Sequence, residues 1–411
     1  HKVAQHLDKE GAKFSSKSKR LENCVRAIVD QQEKNGFTLN LRGAMLLLSE
    51  LQEEEDSLVA KATEMFPPKE LQLKTKVKYI PFNIASRKQI AERLMEKGWE
   101  PKHHTDKGNV IVNEETLSHI KMPEAQMFSR FFLLQKRTGM LKSWIKECHD
   151  DEKVRGRVMT LKTVTGRMAH NSPNMAQVPA SYSPYGKEFR SLWTISDPEK
   201  YNLIGTDASG LELRCLAHYM QDKAYINEVV NGDVHTANMK MAGLTNRDQA
   251  KTFIYAFLYG AGAAKIGKVV GGGSAQGRDL IERFLGNMPA LKRLRNQVTE
   301  AAREGSILGL DGRHLKIRSE HAALNTLLQG AGAIICKEWL VQITRIINER
   351  GVDAKLVASI HDEYQFEVSV KDTLNFCRIT KEAILDTSRN LSVVCPLDSQ
   401  YKVGKTWAET H

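Results

Sequence analysis

A mixed α/β fold of enzyme size, with a helical insertion in its second half, is what the 411 residues predict. Two apolar runs end in acids, YNLIGTDAS (201–209) and LVASI before HDE (361–363), and read as buried strands. The stretches 41–65, 124–149 and 245–304 instead carry helical periodicity. Hydrophobic residues make up 41% of the chain, enough for a packed core, and the length predicts about two or three domains.

In chain order, residues 1–22 are rich in Lys and Ser and are expected to form a loose basic tail. The pattern from Leu21 to Phe66 is helical, broken at Asn35-Gly36, and Pro67-Pro68 ends it. Residues 71–79 (LQLKTKVKY) alternate strictly. They predict one edge strand with Lys74, Lys76 and Lys78 on a single face, guarding the edge or gripping phosphates. Residues 84–98 predict a surface helix ending at Gly98. Beyond Val154 come short strands and turns, with prolines at 173, 179, 184 and 198. The glycines at 271–273 predict a mobile loop in the helical insertion. They are no phosphate loop, because G-x-x-x-x-G-K-[ST] occurs nowhere in the chain. The last hundred residues alternate strand and helix.

Sixty Lys and Arg against 49 Asp and Glu leave a charge of +11. Residues 121–170 hold eleven basic and five acidic side chains, and residues 241–320 hold thirteen and seven, while the remainder is nearly balanced. Two separated cationic surfaces suit a cleft around a polyanion, although solvated helix faces have the same composition. The six cysteines include no C-x-x-C pair, which excludes the common zinc patterns and predicts reduced, buried thiols. The most apolar run, Leu327 to Ile347, is interrupted by Lys337, Glu338 and Arg345, so no membrane span is expected.

Asp207 ends an apolar run, followed by the small residues Ala208, Ser209 and Gly210. Asp362 falls at an expected hairpin tip. Two carboxylates aimed at one point repel each other unless a cation lies between them. Their oxygen ligands suit Mg²⁺, and a pair of such ions activates an attacking hydroxyl and stabilises a leaving oxygen. Taken singly, a helix cap at Asp207 and a turn at Asp362 remain open.

RDQAKTFIYAFLYG (247–260) repeats Arg247, Lys251, Tyr255 and Tyr259 every four residues, so they share one helix face. Phe253, Ile254, Phe257 and Leu258 take the opposite side. Two cations followed by two rings match a nucleoside triphosphate laid along a helix, with Lys251 placed to protonate departing pyrophosphate. His235 in GDVHT offers one more phosphate contact. Arg167 in VTGRMAH, and His321, Asn325 and Gln329 four apart in SEHAALNTLLQGAGA, carry donors suited to the minor-groove acceptors common to all base pairs. Capping or pairing within the fold accounts for them equally well.

DASGLELR (207–214), RDQAKTFIYAFLYG and HDE, in this order, resemble motifs A, B and C of the family A (Pol I-like) DNA polymerases. The closer resemblance is to the replicative polymerases of T-seven-type bacteriophages. It extends to QQEKNGF (31–37), VTGRMAH, SPYG (183–186), NGDVHT (231–236), LDGR (310–313), HAALNTLLQ (321–329) and His411. The resemblance implies a right-hand α/β fold: a tail over 1–22, a thumb and associated segments over 23–153, palm over 154–220 and 305–411, and fingers over 221–304.

It further implies a template-directed DNA polymerase using primer–template DNA, dNTPs and two Mg²⁺ ions, for which Mn²⁺ can substitute. Asp207 and Asp362 would hold the metals with the Ala208 carbonyl, and Glu363 would lie near the primer end. His235, Arg247 and Lys251 match triphosphate contacts. Tyr255 and Glu212 match the pair that closes over the sugar, with Gly210 and Leu211 alongside; Glu212 would exclude a 2′-hydroxyl. Tyr259 matches a residue beside the templating base, and Arg167, Asn325, Gln329 and His361 match primer or minor-groove contacts. Tyr at position 255 implies acceptance of dideoxynucleotides.

The likeness also implies a monomer in the cytoplasm of an infected bacterium, bound to DNA and working with a separate exonuclease, a helicase–primase and a single-strand-binding protein. No acidic exonuclease motif precedes the thumb in this sequence, so proofreading in cis is not expected. The stretch near Phe66 to Pro81 is short where the phage enzymes carry a long insertion, which weighs against thioredoxin-based processivity.

Overall fold

The structure, a computed structural model, describes residues 13–411; most of the expected tail, residues 1–12, lies outside the described residues. Two compact units divide the chain: the residues up to Thr38 with Arg155–His411, and Leu39–Val154. The boundary expected at residue 23 does not coincide with this division. Helix α1 (Ser16–Asn35) starts inside the stretch expected to be loose, capped by the Ser15 side chain, and belongs to the first unit. The reason is its apolar stripe: Leu21, Val25 and Val29, four apart, are all buried in that unit's core.

The second unit is built on two long helices, α2 (Leu41–Met65) and α5 (Pro123–Glu147). Between them run strands β1 (Lys69–Gln72) and β2 (Val77–Ile80), then helices α3 (Arg87–Glu96) and α4 (Glu114–Ser118). Phe66, Phe82 and Phe128 pack with ring centroids 4.7–5.8 Å apart. Helix α3 is more than a surface helix, since Ile90, Ala91 and Leu94 are buried.

The single strand expected over 71–79 is in fact a hairpin. Leu73 N–H bonds the Lys76 carbonyl at 2.9 Å, closing a turn. Lys78 therefore faces Leu71 across the ladder, while Lys74 and Lys76 sit in the turn, and the three lysines do not share one strand face. Nothing in the turn residues Lys74-Thr75 interrupts the alternation, so a period of two runs through it unbroken.

The first unit continues with a ribbon of β3 (Arg157–Met159) and β4 (Ala169–Asn171), then helix α6 (Gly186–Ser191). Strand β5 (Tyr201–Ala208) leads into α7 (Leu211–Met220). The helical insertion follows as expected: α8 (Lys223–Asn231), α9 (Val234–Ala242), α10 (Arg247–Leu258), α11 (Ala263–Val269), α12 (Ser274–Asn287) and α13 (Pro289–Ala302). Its core is aromatic, with Phe253 and Phe257 both edge-on to Phe284 at 5.0 and 5.7 Å. The glycines at 271–273 make a tight turn between α11 and α12, where Gly272 N–H bonds the Gly267 carbonyl at 2.9 Å.

After the insertion come the short ribbon β6 (Ser306–Leu308) and β7 (His314–Lys316), the long helix α14 (Ala323–Arg350), strands β8 (Ala354–Ile360) and β9 (Glu363–Ser369), helix α15 (Thr373–Asn390) and strand β10 (Ser399–Gly404). The main sheet is antiparallel in the order β8-β9-β5-β10. Helix α14 packs on it through Tyr364, whose hydroxyl donates to the Cys336 carbonyl at 2.7 Å, and on α15 through Trp339, which donates to the Thr380 carbonyl at 2.9 Å. Cys215, Cys336, Cys377 and Cys395 are buried and Cys24 and Cys148 half-buried, all as free thiols. Among the described residues no helix is long and apolar enough to cross a membrane.

Candidate active site

The sheet ladder brings the two aspartates together. Strands β5 and β9 pair with Asp207 opposite Glu363, and Asp362 occupies the turn that joins β8 to β9. Ala208 N–H donates to the Asp362 backbone carbonyl at 3.1 Å, which ties the two strand ends directly. Neighbouring His361 holds a left-handed backbone (φ 57°), the conformation that makes so tight a turn possible.

The three acids have different surroundings. Glu363 is 7% exposed and accepts from His411 Nδ1 at 2.6 Å, Trp407 Nε1 at 2.7 Å and Gln365 Nε2 at 2.5 Å. Burial alone would raise its pKa, but those donors outweigh burial and hold the carboxyl below its ordinary value. Neither Asp207 nor Asp362 forms an ion pair among the described residues. Burial, then Glu212, then Asp207 push Asp362 up to about 6. Partial desolvation followed by the Glu363 carboxylate raises Asp207 as well.

His411 reaches this centre because Gly205 lacks a side chain. A Cβ on Gly205 would stand 2.2 Å from the Thr410 carbonyl oxygen, so only glycine lets the last residues cross the sheet. Thr410 Oγ1 then donates to Gln365 Oε1 at 2.8 Å, and Lys402 Nζ to the His411 carbonyl at 2.7 Å. The sequence marks His411 only through its resemblance and marks Trp407 and Gln365 not at all.

Helix α10 behaves as its periodicity predicts. Asn246 caps it by accepting from the Asp248 and Gln249 amides, and Phe253, Ile254, Phe257 and Leu258 are buried. On the other face Arg247 and Lys251 are exposed, Tyr255 is half-buried, and Tyr259 sits just past the helix end. The tyrosine rings stack at 6.3 Å, and His235 lies 6.1 Å from the Tyr255 ring. One partner was not foreseen: Asp233, the cap of α9, takes the Arg247 guanidinium in two bonds of 2.8 and 2.9 Å.

The expected partnership of Glu212 with Tyr255 takes another form. Glu212 Oε1 accepts from the Tyr259 hydroxyl at 2.9 Å, with Arg167 Nη2 3.6 Å away. Tyr255 senses Glu212 and Asp362 only through space, after burial, as causes of its raised pKa. Gly210 opens α7 in a left-handed conformation (φ 56°) with Leu211 buried behind it, which lifts Glu212 toward α10. Arg167, His361 and Asp362 line a small cavity of about 20 Å³ floored by Cys336 and Lys337. Asn325 and Gln329 lie half-buried on α14, whereas His321 belongs to the 3₁₀ turn before it. Asn325 Oδ1 is buried without a hydrogen-bond partner and borders a cavity of about 500 Å³ beside Phe257 and Gly260.

A strand-end pair of acids, a carboxylate bonded to a tyrosine and a cationic helix face thus lie in one unit. The family model for DNA polymerase family A matches residues 49–409. The chain is 38% identical over 378 residues to the DNA-directed DNA polymerase of Enterobacteria phage T3, and to the same degree to that of Escherichia phage T7. Each match covers 82% of this chain and 54% of the relative, so the chain spans about half the length of those enzymes. The polymerase domain of Pol1 from M. smegmatis, solved with DNA primer-template and dNTP, superposes with a TM-score of 0.86 over 99% of this chain and 73% of that one. At 19% identity that likeness speaks for the fold, a right-hand polymerase fold.

Proposed function

The chain belongs to DNA polymerase family A, and on that premise we propose that it extends a DNA primer on a template strand, as the polymerising part of a phage-type replicative enzyme. The observation that carries this reading is the pairing of Asp207 and Asp362 at adjacent strand ends, raised in pKa and in no ion pair among the described residues. Acceptor-only oxygens in that state fit divalent metal: a cation offsets the burial and the repulsion that together raise both groups. Asp207, Asp362 and the Ala208 carbonyl would hold Mg²⁺. When bound, it would lower the pKa of the primer 3′-hydroxyl and neutralise charge on the phosphates.

The chain's own residues supply the rest. Lys251 and Arg247, with His235 beside them, bind the triphosphate along α10. The primer 3′-hydroxyl gives its proton to solvent, and its oxygen bonds the α-phosphorus as the bond from that phosphorus to the oxygen leaving with pyrophosphate breaks; Lys251 gives a proton to the departing pyrophosphate. Glu212 leaves no room for a 2′-hydroxyl. Tyr259, bonded to Glu212, stands where a templating base must enter, so base entry exchanges that bond. Tyr255 closes over the sugar. Arg167, His361, Asn325 and Gln329 contact the primer terminus and minor groove, with Glu363, fixed by His411, beside them.

In this reading residues 23–153 supply the thumb and its associated N-terminal segments, α1 among the latter, 154–220 and 305–411 the palm, and 221–304 the fingers. The setting is phage DNA replication in the bacterial cytoplasm. The test is extension of a labelled primer–template with Mg²⁺ and dNTPs, beside Asp362→Asn, Glu212→Ala and rNTP-only reactions. Extension with dNTPs alone, lost in Asp362→Asn and opened to rNTPs in Glu212→Ala, is the expected result. Extension by the parent with rNTPs would instead indicate an RNA polymerase.

A further inference from the structure

Beneath the loop that carries Arg167 lies a buried ionic cluster that the chemistry above does not use. Glu22 of α1 accepts from Lys337 Nζ at 2.7 and 2.9 Å and from Arg313 Nη1 at 2.6 Å. Arg313 also binds Asp311 at 2.6 Å. The four residues are 7, 1, 2 and 3% exposed in the order Glu22, Lys337, Arg313 and Asp311. A neutral cluster this deep is a poor stabiliser compared with apolar packing, so its worth lies in what it holds in place.

It ties down one end of one loop and lies against the other. Lys337 Nζ donates at 2.8 Å to the Thr160 carbonyl, just past β3. Arg313 lies directly under Gly166, where a Cβ would meet Nη1 at 3.2 Å and where φ is +78°. Within the loop, Thr163 Oγ1 donates to the Arg167 carbonyl at 2.9 Å. Helix α1 also fixes the strand that feeds the loop: Arg26 Nη1 donates to the Val158 carbonyl and Glu33 Oε1 accepts from the Val158 amide, both at 2.7 Å. Arg167 emerges from this frame to face Glu212 and Asp362.

We propose that α1, through Glu22, sets the loop 160–167, so that Glu22 and Lys337 are positioning residues for Arg167 at the primer terminus. Glu22 stands outside the span matched by the family model, so a segment beyond that match controls the site within it. Glu22 is the carboxylate that compensates Lys337. Without it the buried ammonium is unpaired, and its bond to Thr160 is lost when the group moves toward solvent and weakened when it deprotonates. The claim rests on the polymerase reading only for what Arg167 touches.

The test is Glu22→Gln in the whole chain, read by amide hydrogen exchange and by primer extension. Exchange over 160–168 is expected to rise about tenfold while α10 is unchanged, and extension to fall about tenfold. In an Arg167→Ala background the same change should cost nothing further, because both act through one contact. Should Glu22→Gln fail to fold, the paired change Glu22→Leu with Lys337→Met removes both charges together and still strips Thr160 of its donor. Unchanged exchange over 160–168 in either variant, or a fully additive loss in the Arg167→Ala background, overturns the proposal. A parent chain that extends no primer, yet shows the exchange response, refutes the polymerase reading and leaves the positioning intact.

Discussion

The carboxylate centre and the α10 face, which share one unit, are built in opposite ways. At the centre, Asp207 and Asp362 are aimed by backbone: a ladder, a tight turn and a direct amide-to-carbonyl bond between the strand ends. On α10 the helix itself is anchored, but the polar groups are long, exposed side chains whose partners can be exchanged. Arg247 rests on Asp233, and Tyr259 rests on Glu212. On the proposed reading, the metal-holding acids are preorganised while the substrate-holding groups are kept occupied by local anions and hydroxyls that an incoming triphosphate or base would displace.

The contrast breaks most plainly at the two acids proposed to hold metal. Asp207→Asn or Asp362→Asn should lower single-turnover extension by about 10³-fold. Melting should be unchanged or raised in both, because each substitution removes a carboxylate that repels its neighbours. A loss below tenfold would mean the ladder aims these side chains at nothing.

The rigid side can be sharpened through pH. His170 in β4 is held near pKa 4 by burial, then by nearby His361. The unfolded chain takes up this proton below about pH 6.5 and the folded one does not until about pH 4. Folding should therefore lose about 3 kcal/mol from this residue as pH falls through that window. Urea midpoints at pH 7 and pH 4.5 should differ more for the parent than for His170→Asn, and equal differences would show that the imidazole is not held neutral.

Smaller effects belong on the adjustable face. Tyr255→Phe should raise discrimination against ddNTPs about tenfold, the scale of one hydroxyl bond, as read from paired dNTP and ddNTP incorporation. Asp233→Asn keeps the cap of α9 but loosens Arg247, and should lower KM for dNTP a few-fold, more at low salt. No change in KM at any ionic strength would mean that the Asp233 pair does not compete with phosphate.

Much of this was legible in the sequence wherever the deciding interaction is local. The polar and apolar faces of α10 follow from spacing alone, as do the acid-terminated strands and the turn at His361–Asp362. Other features hinge on partners far along the chain. Glu22 meets residues 291 and 315 positions away, which no periodicity encodes. Gly205 reads as a weak spot in a strand until Thr410 lies across it. The pairing of Tyr259 rather than Tyr255 with Glu212 depends on where α10 ends relative to α7, a tertiary fact. The hairpin over 69–80 was hidden because its turn carries none of the residues that usually mark one.

The Glu22 cluster also has a consequence for how the molecule is made. Helix α1 leaves the ribosome with an apolar stripe and a glutamate whose two cationic partners have not been synthesised. At about 5–20 residues per second, Lys337 follows Glu22 by roughly 15–60 s, during which α1 has β3 to bond but not the helix that completes its buried face. Nascent chains are thus expected to present Leu21, Val25 and Val29 to chaperones until α14 emerges, and to become resistant to protease at α1 in one late step rather than progressively.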